Sequence, residues 1–303
     1  MFKLLSRYML ILLATVGVAA WDAVPAHAVA NGLDANDGAY PFATRLSMTG
    51  LPDQSGGTRD SSCSGALIAS RWVITAGHCF RNLDGQRVNH PVARRTTATI
   101  GRTQVTGTGG HVLDVVAVVQ SSTTDVALAE LASNVTDITP IQVTAETPTP
   151  GEVVRLAGFG LTSDQDPRSL PSRLQTGLFT VDNIGSSLLE TSGHQPALDT
   201  SPCLHDSGAP YFRESGNGRP TLVAVVSSGP SCPHRGEDYS ARADNIGGWI
   251  NSTVATRDHP ASDQEPLRAL AVAAAAGLVA VFALRKMGHL REEKNRRSVT
   301  PGA

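Results

Sequence analysis

Residues 63–79 read Cys63-Ser-Gly-Ala-Leu-Ile-Ala-Ser-Arg-Trp-Val-Ile-Thr-Ala-Gly-His78-Cys79. From Gly65 to Thr75 the stretch is mostly apolar and small, with β-branched residues toward its end. That is how short strands separated by turns are written. Similar runs recur outward from it, at His111–Gln120, Glu152–Ala157 and Thr221–Val226. Repeated short strands bounded by Gly, Pro, Ser and Thr predict an all-β sandwich or barrel. The 303 residues carry 29 Gly and 18 Pro, enough to supply the turns such a fold needs. Near the end of this region, Ile246, Trp249 and Ile250 are spaced to share one helix face, which predicts a short helix over Asp244–Val254.

Three segments carry the chemistry. The first ends in His78 and Cys79. The second is Thr124-Asp125-Val-Ala-Leu. The third is Cys203-Leu-His205-Asp206-Ser207-Gly-Ala-Pro210. A serine hydroxyl is a weak nucleophile at neutral pH and needs a base within hydrogen-bond reach. Imidazole suits that task because it titrates near neutrality. A carboxylate on its other nitrogen fixes the tautomer and stabilises the cation that forms. Loops of a rigid β scaffold can bring such distant residues together.

The two ends are unlike the middle. A start with Lys3 and Arg7, an apolar run from Tyr8 to Ala20 and Ala26-His27-Ala28 predict a signal peptide over residues 1–28. Ala269–Leu284 is free of charge and flanked by Arg268, Arg285 and Lys286. As a helix it reaches about 24 Å against a hydrocarbon core of about 30 Å. Snorkelling of the flanking cations closes the gap and predicts a transmembrane helix over 267–286. Residues 255–266 read as a linker, and the tail 287–303, with Arg291, Lys294, Arg296 and Arg297, as cytoplasmic by the positive-inside rule. The domain at 29–254 is then expected on the extracellular face of the membrane. Four cysteines, Cys63, Cys79, Cys203 and Cys232, suit that compartment as disulfides, with three pairings possible.

With 25 Lys+Arg against 27 Asp+Glu the net charge is -2, which argues against a nucleic-acid partner. His111, His194 and His234 stand apart from any zinc-like spacing, so neither metal nor cofactor is expected.

Together the three segments resemble those of the trypsin/chymotrypsin family of serine proteases, as a bacterial-type, membrane-anchored member. The resemblance covers nearly all of 29–254. It extends to Ala157-Gly-Phe-Gly160, Val226-Ser-Ser-Gly229 and Ile246-Gly-Gly-Trp-Ile250. It implies two six-stranded antiparallel β-barrels with the active site between them, and a peptide or protein substrate. It implies a triad of His78, Asp125 and Ser207, with backbone N–H groups of His205 and Ser207 as the oxyanion hole. Disulfides Cys63–Cys79 and Cys203–Cys232 are implied, each worth about 3–4 kcal/mol in the loop-entropy account. Val29-Ala-Asn-Gly32 resembles the family's activated N-terminus, whose ammonium pairs with the carboxylate before the nucleophile, here Asp206. Signal cleavage after Ala28 would itself release Val29. Ser227, Ser201, Gly229 and Glu237 are implied around the substrate pocket, Ser227 also beside Asp125.

The sequence departs from the family at His205 and Ala209, where Gly is usual, and at Ser228, where Trp is usual. A neutral Ser201 on the pocket floor speaks against a simple preference for Arg or Lys, while Glu237, near a wall position, either brings a carboxylate in or points to solvent. The alternative to an active protease is a catalytically weak domain that binds or senses at the membrane.

Overall fold

The computed structural model describes residues 29–166, 172–214 and 219–258. The expected signal peptide, transmembrane helix and tail lie outside them.

A two-residue strand β1 (Leu33–Asp34) precedes the first barrel. That barrel contains β2 (Ala43–Pro52), β3 (Thr58–Ala69), β4 (Trp72–Ala76), β5 (Arg95–Ile100), β6 (His111–Gln120) and β7 (Val126–Leu131). It closes in the order β2-β3-β4-β7-β6-β5. Period-2 burial decides the register. On β2, Leu46 and Met48 are buried while the intervening Ser47 is partly open. All of β4, Trp-Val-Ile-Thr-Ala, is buried, which its uninterrupted apolar text requires. The stretch Gly65–Thr75 resolves into the end of β3, a turn at Ser70–Arg71 and β4.

After the two-residue β8 (Gln142–Val143) come β9 (Val153–Gly158), β10 (Gln175–Ile184), β11 (Leu188–Gln195), β12 (Pro210–Arg213), β13 (Thr221–Ser228) and β14 (Glu237–Arg242). β10, β11, β14, β13, β12 and β9 form the second barrel, closed because β10 also pairs β9. Val154, Leu156, Phe179, Val181, Leu189, Tyr211 and Val223 fill it. The rings of Phe179 and Tyr211 meet edge-on at 5.1 Å. The fold is therefore all-β, two six-stranded antiparallel barrels with a short C-terminal helix.

Closure removes free sheet edges in both barrels, and β1 and β8 cap what remains by pairing β10 and β13. β1 precedes barrel one in the chain yet belongs to barrel two, through Leu33 opposite Thr176. At the end, Asp244–Ile246 forms a 3₁₀ turn that leads into α1 (Gly247–Asp258). Ile246 and Ile250 are buried. The helix runs four residues past the boundary expected at Val254, because no Gly or Pro stops it before His259-Pro260.

Candidate active site

Barrel one supplies an imidazole and a carboxylate. β4 and β7 are antiparallel neighbours with Ala76 opposite Val126. That register sets the residues just after β4 beside the one just before β7. His78 lies in a 3₁₀ turn, Gly77–Phe80, and its backbone N–H donates to Asp125 Oδ1 at 2.9 Å. The imidazole Nδ1 is 2.7 Å from Asp125 Oδ2. Ser227 Oγ donates to the same oxygen at 2.7 Å. Burial raises the Asp125 pKa, but the hydrogen bonds from His78 and Ser227 and the His78 charge outweigh it. The carboxyl ends below the usual aspartate value. An ionised carboxylate only accepts, so Nδ1 carries the proton and Nε2 offers its lone pair. Nε2 is 2.8 Å from Ser207 Oγ.

Barrel two supplies the hydroxyl on a tight loop between Cys203 and Ala209. Asp206 N–H donates to Cys203 O at 3.0 Å and Ala209 N–H to Asp206 O at 2.7 Å. Gly208 sits at φ +84, and a Cβ there would lie 2.1 Å from Thr75 Oγ1 and 2.4 Å from Ser64 O. Only glycine fits that approach between the barrels. Ser64 on β3 grips the loop twice and ties it to Phe159. Its N–H donates to Ser207 O at 2.9 Å, its Oγ donates to His205 O at 3.0 Å, and that Oγ accepts from Phe159 N–H at 2.9 Å.

His205 takes φ 76, the left-handed region that glycine usually occupies. Its imidazole Nδ1 lies 2.8 Å from Ser62 O, so the side chain that replaces glycine is itself tied to β3. The backbone N–H groups of His205 and Ser207 have no acceptor among the described residues. Two disulfides hold the loops: Cys63–Cys79 beside His78 and Cys203–Cys232 beside Ser207. Asp164 approaches Cys203 and Cys232, but those sulfurs are bonded to each other, so this trio is no metal site.

Asp206 is fully buried. Its oxygens accept from Gly160 N–H at 2.8 Å, Cys203 N–H at 3.0 Å and the Val29 backbone N–H. Val29 is also wholly buried. Burial outweighs these donors and pushes the Asp206 pKa up to about 7.

A cleft of about 270 Å³ opens beside Ser207 and His78, lined also by Ser227, Ser228, Gly229 and Asp238. Ser201 is fully buried, its hydroxyl 3.3 Å from the His234 backbone N–H. Glu237, expected at the pocket, is a correction. It starts β14 pointing to solvent, and alternation brings the next side chain, Asp238, inward to line the cleft. Sequence reasoning missed Asp238 and Ser64. The strict in-out pattern of Asp238 and Ser240 was the signal available for the first.

Two closed antiparallel barrels, with this hydroxyl, imidazole and carboxylate aligned where they meet, are the architecture of the trypsin-like serine proteases. The chain belongs to the trypsin family: the family model described as Trypsin matches residues 29–250. It is also similar to transmembrane protease serine 7 of Rattus norvegicus, 25% identical over 253 residues, which are 75% of this chain and 28% of that protein. The chain thus spans well under a third of that relative's length.

Proposed function

We propose that this chain is a serine endopeptidase that cleaves peptide bonds by acyl transfer. The carrying observation is the unbroken hydrogen-bond chain from Ser227 through Asp125 and His78 to Ser207, next to two N–H groups without acceptors. His78 Nε2 takes the Ser207 proton as Oγ attacks the substrate carbonyl carbon. Asp125 orients the imidazole and stabilises its cationic form. The N–H groups of His205 and Ser207 receive the oxyanion, each donor worth about a hundredfold to a thousandfold in rate. His78 then protonates the leaving amine. Finally it deprotonates the water that releases the acyl group.

Activation belongs to the same proposal. Signal cleavage after Ala28 turns the Val29 N–H beside Asp206 into an ammonium, which pairs with that buried carboxylate. The enzyme would then be exported and held on the outer face of the membrane by residues 267–286. The similarity to a protein named as a transmembrane protease is in keeping with this anchoring.

The test is labelling of the chain starting at Val29 with a fluorophosphonate probe. Labelling that disappears in Ser207→Ala and His78→Ala supports the reading. Folded wild-type protein that does not label overturns it in favour of a binding or sensing domain. N-terminal sequencing of exported protein that begins elsewhere than Val29 removes the activation step.

A further inference from the structure

His205 stands where glycine is usual, and its side chain has a definite place. The cleft beside Ser207 is lined by residues of the barrel-two half apart from His78. On the other side of Ser207 stands β3 of barrel one, whose Ser64 N–H donates to Ser207 O at 2.9 Å. A leaving segment, whose amine takes its proton from His78, therefore runs out along β3.

β3 is 12 residues long and overhangs the barrel wall. It pairs β2 from Thr58 to Ala66, but β4 only from Ala66 onward. From Thr58 to Ser64 its second edge has no strand beside it among the described residues. In an antiparallel strand the N–H and C=O of one residue point the same way, and alternate residues share that direction. Ser64 N–H faces Ser207, so the peptide groups of Ser62 face the same side. An extended peptide lying there would add a strand, and its first N–H beyond the leaving amine would meet Ser62 O.

That carbonyl is already taken. His205 Nδ1 lies 2.8 Å from Ser62 O. A carbonyl only accepts, so Nδ1 carries the proton. The residue is held at both ends of its backbone unit: φ is fixed at 76, and its own carbonyl accepts from Ser64 Oγ at 3.0 Å. The imidazole can clear the edge only by breaking its hydrogen bond and rotating about χ1. A glycine at this position would leave Ser62 O open.

We propose that His205 blocks strand pairing on the leaving-group side, so that residues beyond the first one after the scissile bond add nothing to recognition. The inference rests on the endopeptidase reading and names its substrate class: peptides selected on the acyl side alone, cut beside a chain end as readily as in mid-chain. A protein that docks by laying an extended segment through the cleft loses the leaving half of its contact.

Two measurements on the chain starting at Val29 separate this inference from the reading beneath it. The first is kcat/KM on amidated peptides with leaving groups of increasing length, from a single residue upward, in parallel sets carrying Arg, Leu, Phe or Ala on the acyl side. Lengthening should change the wild-type value by less than about threefold and raise that of His205→Gly by about tenfold, the worth of one or two new hydrogen bonds. His205→Ala, which keeps the left-handed backbone and loses the imidazole, should respond as His205→Gly does. An ester oxygen in place of the N–H of the second leaving residue should cancel the gain. Because a ratio is read within each protein, partial misfolding or a weaker oxyanion hole cancels. The second is calorimetric binding of the shortest and longest peptides to Ser207→Ala protein with and without His205→Gly. Length should tighten binding only where the imidazole is gone. A wild type that gains about tenfold from length, or variants that gain nothing, overturns the inference while leaving the endopeptidase standing. If no peptide is cleaved, yet length tightens binding only in the glycine variant, the endopeptidase falls and the blocked edge remains. Length that affects binding equally in both backgrounds overturns the inference whether or not peptides are cleaved.

Discussion

The backbone N–H of Val29 donates to the carboxylate of Asp206, and both residues are completely buried. With residues 1–28 attached, that N–H is an amide and brings no charge to an acid whose pKa burial has pushed to about 7. The unfolded chain has the same acid near 3.9. The folded state therefore binds the extra proton between about pH 4 and 7. Stability present below pH 4 is lost as pH rises through this window, to the extent of about 4 kcal/mol.

The first prediction follows from the sign of that effect. In a chain extended before Val29, Asp206→Asn should raise stability at pH 7 by a few kcal/mol and flatten its fall between pH 4 and 7. In a chain beginning at Val29, the ammonium reverses the sign, and Asp206→Asn should destabilise. Urea unfolding of the four proteins across pH checks this. The same sign in both backgrounds would refute the pairing.

Ser227→Ala removes the second donor to Asp125 Oδ2 while leaving His78 in place. A hydrogen bond to an ionised group is worth about 1.5–3 kcal/mol. Accordingly kcat should fall about ten- to a hundredfold while KM stays within about threefold and thermal unfolding by calorimetry shifts by only a few degrees. Steady-state kinetics with calorimetry distinguishes this from general damage to the cleft.

Gly208 cannot carry a side chain. A Cβ would press on Thr75 Oγ1, Ser64 O and the Ala76 N–H, two of them backbone atoms that cannot rotate away. Gly208→Ala should destabilise by roughly 3 kcal/mol or more, from the clash and the left-handed φ together. It should also abolish fluorophosphonate labelling in whatever folded protein remains. Thermal unfolding and labelling read both effects.

At His205 the same backbone region is occupied by a side chain with its own anchor, Ser62 O. His205→Ala keeps the strain and loses the anchor, whereas His205→Gly loses both. The glycine variant should therefore be more stable than the alanine variant by about 1 kcal/mol. Melting temperatures of the two compared with wild type decide it.

Much of the fold is written locally. His111–Gln120 and Thr221–Val226 carry β-branched runs that only a strand accommodates, and the structure forms β6 and β13 there. The residues His78, Asp125 and Ser207 stand in short segments that together resemble the trypsin/chymotrypsin family, and that resemblance, rather than any local spacing, made their juxtaposition legible. Other features depend on distant partners. β11, Leu-Leu-Glu-Thr-Ser-Gly-His-Gln, is polar enough to read as loop and is a strand because β10 and β14 flank it. The grip of Ser64 on His205 joins residues from different barrels, and nothing near either announces it. Glu237 and Asp238 show the sharpest limit. A slip of one residue along a strand exchanges its faces, so two adjacent acids could not be told apart without the register of β14 on β11.

β1 meets its partner only at Gln175 and Thr176, more than a hundred residues later. During synthesis the chain emerges from its N-terminal end. The first barrel can therefore close while the segment around Val29 still has no strand to join and no Asp206 to enter. Throughout that interval the peptide bond before Val29 stays open to a processing enzyme. For the cut proposed before Val29, the order in which the polypeptide is made would place it ahead of the burial that makes the bond unreachable.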